Sequence, residues 1–104
     1  MTIDQFRSTL ADDAPPEALT PALKAMWQVA KGNWEAAHSI AQTIEDDTGS
    51  LIHAHLHREE GDLGNAGYWY RLASQPIADD SLAAEWTRIV SRILGAGPAG
   101  LDNK

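Results

Sequence analysis

The chain contains no cysteine, and that absence removes a disulfide framework, a thiolate zinc site and a cysteine nucleophile together. The reducing cytosol is therefore the expected compartment. No window approaches the roughly 18 apolar residues needed to cross a bilayer, and the opening Met1-Thr2-Ile3-Asp4-Gln5 has neither the basic nor the apolar region of an export signal. Positive charge is scarce, with eight Lys and Arg against fifteen Asp and Glu for a formal charge of -7. Such a balance repels phosphate backbones and anionic lipid, so neither nucleic acid nor membrane is an expected partner. Glycine-rich phosphate loops, a Gly-x-Ser-x-Gly elbow and a triad order are all missing. No catalytic residue is assigned on this basis, and Ser39 and Ser50 read as helix-surface and N-cap residues. Nothing alternates with period two for long enough to make a strand.

What is present is helical periodicity over 104 residues, a length that forms one domain with one modest core. Thr2 and Gln5 have capping-box spacing and open a short helix over 3–10, which Pro15 and Pro16 prevent from continuing. Thr20 before Pro21 starts a second helix ending at Gly32, with Leu23, Met26, Trp27 and Ala30 on one stripe. A third follows over 34–46, broken by Thr48-Gly49-Ser50. Ser50 is expected to cap a fourth over 51–60, and Gly61-Asp62 leads into a fifth that runs to about Ser74. Asp79-Asp80-Ser81 opens a sixth over 82–94, with Leu82, Trp86, Ile89, Val90 and Ile93 on one face. Residues 95–104 read as a flexible tail.

Laying Gly32 over Gly61 superposes Leu23 on Ile52, Ala25 on Ala54, Trp27 on Leu56, Ala37 on Ala66, Ala41 on Tyr70 and Ile44 on Ala73. Two helical hairpins, about 21–46 and 50–74, follow from this register. The glycine, the alanine five residues on, and the core positions after it resemble the second half of a tetratricopeptide motif, in which small alanines let paired helices approach closely. The expected fold is all-α, a tetratricopeptide-like array of five to six helices with superhelical or bundle-like packing. The domain spans 1–94, with 3–10 and 82–94 as capping helices. Two units bury less than the three usually required, so helix 82–94 must cap the array or join a second copy in a homodimer.

The densest chemistry lies between His38 and Trp69. His53 and His57 sit one turn apart on a single helix face, with Glu60 three residues further on and His38 able to face them from the preceding helix. His55 points elsewhere, toward Arg58. Three readings remain open: a polar packing seam, a pocket for a small polar ligand or peptide terminus, and a metal site built from His53, His57, Glu60 and His38. Ala54 stands where a metalloprotease helix would carry its general-base glutamate, so that chemistry is not expected. Asp62 reads as an N-cap and Tyr70 as core, while Trp27 and Trp34 read as core and hairpin packing.

Gly49-Ser50, His53, His57-Arg58, Glu60, Asp62, Asn65-Ala66 and Tyr68-Trp69-Tyr70-Arg71, with His38 and Gln42 before them, are similar to a family of small bacterial and fungal helical proteins. That resemblance implies that His38, Gln42, His53, His57, Arg58, Glu60, Asp62, Asn65 and Trp69 form one pocket or one packing unit. Leu72 replaces a basic residue common in that family. The leading functional expectation is a non-enzymatic interaction module that binds a protein or peptide through a groove at His55 and Arg58. The alternative is a small-ligand or metal-binding protein using His38, His53, His57 and Glu60. No cofactor is expected under the first reading, and a divalent metal ion is expected under one form of the second.

Overall fold

The computed structural model describes residues 1–95, so the tail expected over 95–104 lies, from residue 96 onward, outside the described residues. Six α-helices and one 3-10 turn make up an all-α array: α1 (Ile3–Ser8), the 3-10 turn Thr9–Ala11, α2 (Pro21–Ala30), α3 (Trp34–Ala41), α4 (Asp47–Glu59), α5 (Leu63–Leu72) and α6 (Leu82–Gly95). No described helix is long and apolar enough to cross a membrane.

The starts are chemically explicit. Thr2 and Gln5 form the reciprocal capping box on α1, and Thr20 accepts from the Leu23 amide with Pro21 in the first turn of α2. Ser81 accepts from the Ala84 amide at the start of α6. The internal repeat is clearest in the two tight connections. Gly32 and Gly61 both adopt positive φ, at 80° and 88°. Each lets the following residue donate back to the preceding helix, Asn33 to Gln28 O and Asp62 to His57 O. This is the six-to-one bond that closes a helix when its first outside residue is left-handed, a conformation that suits glycine. The connections therefore fold α3 onto α2 and α5 onto α4 in the same way.

The junction between α3 and α4 differs from the sequence expectation. The third helix stops at Ala41 rather than near Asp46, and the fourth starts at Asp47 rather than after Ser50. Asp46 is the cap, because its Oδ1 accepts from the Thr48 and Gly49 amides. Gly49 lies inside the first turn of α4, where a Cβ would stand 2.0 Å from Ile44 O. The glycine thus permits close backbone approach and does not break a helix. The fifth helix also ends slightly early, at Leu72.

The superposed repeat positions Leu23, Ala25, Trp27, Ala37 and Ala41 and their counterparts Ile52, Ala54, Leu56, Ala66 and Tyr70 are all buried. Helix α6 packs on α1, α2 and α4. Trp86, Ile89 and Val90 bury there, and the Trp86 indole donates to Met26 O at 2.9 Å. The apolar face expected to cap the array or join two copies is therefore used within the chain, whereas Leu82 at its start stays exposed.

Candidate functional site

One turn of α4 places His53 and His57 side by side, and α3 brings His38 against both. Ring centroids lie 4.9 Å apart for His38 and His53, 5.6 Å for His38 and His57, and 6.0 Å for His53 and His57. One ring nitrogen from each of the three lies within 4.8 Å of the others. Two tryptophans wall the cluster. Trp34 stacks on His38 at 4.8 Å and Trp69 stacks on His53 at 4.0 Å, nearly parallel at 10°. Trp34 is pinned by an indole bond to Leu56 O, and Trp69 is carried on α5, which packs on α4.

The protonation states follow from these surroundings. Burial, then the imidazoles of His38 and His57, lower the pKa of His53 to about 4. Burial and then His57 also lower His38, although Glu60 and Glu35 oppose this. At neutral pH His53 is uncharged, so its ring keeps a free lone pair. His53 is 5% exposed, and its Nδ1 is buried without a hydrogen-bond partner. Among the described residues it is the one side-chain nitrogen or oxygen in that condition. Buried polar atoms are ordinarily paired, so an orphaned one needs an explanation.

His57 is held differently. Its Nδ1 stands 2.6 Å from Glu60 Oε2, and its Nε2 faces the Asn65 amide nitrogen at 3.4 Å. A carboxylate on Nδ1 fixes the hydrogen there and leaves Nε2 as the acceptor, into which the Asn65 N–H points. Asp62 caps α5 through the Asn65 amide, and this cap places the Asn65 side chain. A carboxylate oxygen of Asp62 also comes within the same 4.8 Å range of His57 and Glu60.

The structure thus unites His38, His53, His57, Glu60, Asn65 and Trp69, as the sequence pattern implied. Gln42 is not brought in, since it caps the end of α3 and is exposed. Arg58 faces away, donating to Glu85 Oε1 at 3.0 Å and to the Asp80 carbonyl. On the side where the groove is expected, a cleft lined in part by His55 lies where α2, α4 and α6 meet. His55 is 2% exposed and bonded to Glu85, because α6 lies across that side of α4 and supplies a buried counter-charge. Glu60 is bonded to His57 Nδ1 and forms with His57 and Asp62 a second group of ligand atoms within 4.8 Å of one another, beside the group of His38, His53 and His57.

Two participants escaped the sequence reading. Trp34 was legible in principle, being one helical turn before His38. Glu85 also carried a signal, since it lies four residues before Ile89 and beside Trp86 on the apolar face of α6. Compared with known proteins, the chain matches no family model, no curated protein and no solved structure.

Proposed function

We propose that this chain is a small helical metal-binding protein in which His38, His53 and His57 hold one divalent first-row ion, zinc being the expected occupant. The observation that carries the reading is the orphaned Nδ1 of a buried, uncharged His53 within a cluster of three imidazoles. Neutral imidazoles are the donors that such ions select where no thiolate is available. Tetrahedral coordination at 2.0–2.1 Å sets ligand nitrogens about 3.4 Å apart, closer than the 4.8 Å range they span here, so binding draws the rings together and Asn65 gives up His57 Nε2 to the ion. Glu60 acts as a positioning residue: a carboxylate on the far nitrogen of a ligating imidazole fixes its tautomer and raises its basicity.

The protein-binding reading has less behind it, because the Arg58 guanidinium expected to meet a partner is already engaged by Glu85 and the Asp80 carbonyl. We retain the tetratricopeptide-like description for the two hairpins as a proposal, on the strength of the shared glycine turns and the small residues Ala37 and Ala66 at their helix contacts.

The test is a zinc titration of untagged protein against a chromophoric chelator. Native protein is expected to bind one equivalent. Glu60→Gln should weaken binding by about 10- to 100-fold, the usual cost of losing such an outer partner, and His53→Ala should weaken it further. Equal affinity in native and His53→Ala protein would overturn the assignment.

A further inference from the structure

The face of α4 that carries His53 and His57 is bordered on both sides. From α3, His38 meets both rings. From α5, Trp69 covers His53 and the Asn65 amide nitrogen meets His57 Nε2. Burial separates the floor of this arrangement from its walls: His53 and His57 are buried, whereas Trp34, His38, Asn65 and Trp69 are all partly exposed. The cluster therefore lies near the surface, and its accessible edge is the seam between α3 and α5.

This inference rests on the reading of the cluster as a metal site. An ion held by three imidazoles keeps one tetrahedral position for another ligand. Two of the imidazoles rise from α4 and the third comes from the α3 side, so the remaining position faces α5 and the seam. Among the described residues no further ligand atom joins the three, since Glu60 and Asp62 group with His57 but with neither His38 nor His53. Both carboxylates are exposed, and water screens them from the ion. Imidazoles ligate as neutral donors, so the ion is the largest local charge and favours an anion in the open position. The one hydrogen bond that the Asn65 side chain makes to a described residue is the bond to His57 Nε2. Once the ion takes that nitrogen, the Asn65 amide stands beside the open position with its N–H groups unengaged.

We propose that the fourth position on the ion takes the carboxylate of a small organic acid, with Asn65 as the protein group that holds it. A carboxylate suits this pair because its two oxygens serve both at once, one as metal ligand and the other as acceptor from the Asn65 amide. Trp34 and Trp69, stacked on His38 and His53, border the entrance with apolar rings. The acid therefore enters along the seam with its carboxylate leading, and the rest of the molecule stays outside the three imidazoles.

The experiment loads the native protein with one equivalent of cobalt(II), a first-row ion that imidazole sites also take and whose visible spectrum reports its coordination. The loaded protein is titrated with sodium acetate and, at equal ionic strength, with sodium perchlorate. Acetate should change the spectrum saturably and perchlorate should not. Asn65→Ala keeps all three imidazoles and should still take up cobalt, but it should bind acetate roughly tenfold more weakly, the scale of one hydrogen bond to a charged group. A native protein that takes up no cobalt would overturn the metal reading and this inference together. Cobalt uptake with a spectrum indifferent to acetate, or equal acetate affinity in native and Asn65→Ala protein, would overturn this inference and leave the metal reading standing. Loss of cobalt from Asn65→Ala with helicity intact would make Asn65 a ligand and overturn its assignment as the donor.

Discussion

Saturating zinc is expected to raise the thermal unfolding midpoint of the untagged protein by about 15 °C or more. A ligand that binds only the folded state at about a thousand times its dissociation constant stabilises it by about 4 kcal/mol, and for a domain near this size each kcal/mol moves the midpoint by at least about 4 °C. The effect should vanish in His53→Ala, whose folded state loses a ligand on the element that supplies two of the three. A differential scanning measurement with and without chelator reads it. Identical midpoints in the two conditions would argue against a metal site.

The same cluster sets a pH signature in the metal-free protein. Because burial and its imidazole neighbours lower His53 to about 4 in the folded state, against about 6.5 in an unfolded chain, the unfolded chain binds this proton more readily between those values. Stability from this group is therefore complete above about pH 6.5 and declines as pH falls toward 4. A bound ion competes with the same proton, so zinc should lose its stabilising effect over the same acidic interval.

Glu85→Ala is expected to lower the free energy of unfolding by about 3–5 kcal/mol, the scale of breaking a buried charged network by removing one partner. Domains of this kind are stable by only about 5–15 kcal/mol, so the variant should stand near the edge of folding at body temperature. The reason lies in what remains. The Tyr70 hydroxyl, which donates to Glu85 Oε2 at 2.5 Å, the His55 imidazole and the Arg58 guanidinium would all face the space left by the carboxylate. Burial, the largest of the causes that raise the Tyr70 phenol far above its ordinary value, persists without Glu85 and still disfavours its ionisation. Glu85→Gln retains an acceptor oxygen and should cost less. Urea unfolding of the three proteins checks the order, and a loss under about 1 kcal/mol in Glu85→Ala would show that α6 is held by Trp86, Ile89 and Val90 alone.

The network on Glu85 also explains what could and could not be foreseen from residues alone. Caps and turns are local, so Thr2 with Gln5, Thr20 with Pro21, and the two positive-φ glycines were readable without a structure. The 29-residue register was readable too, because it repeats apolar spacing. Gly49 misled because glycine has two uses that sequence does not separate: it ends helices, and it also lets backbones approach, as it does here against Ile44 O. The histidines at 38, 53 and 57 converge because helical spacing and short hairpins leave little freedom. His55 could not be placed by the same argument, since its partner comes from α6, thirty residues away. Long-range pairing of that kind depends on how the last helix crosses the array. Arg58 illustrates the consequence, because a cation on a helix surface reads as available until a carboxylate from elsewhere covers it.

The central claim is that His38, His53 and His57 share one ion while His55 does not. Imidazole nitrogen resonances recorded during a zinc titration test it most directly, because all four rings report separately in one spectrum. One equivalent of zinc should move a ring nitrogen of His38, His53 and His57 together, leave the His57 Nδ1 proton in place beside Glu60, and leave His55 unchanged beside Glu85. Uniform small shifts of all four rings, or no change at any of the three, would contradict it.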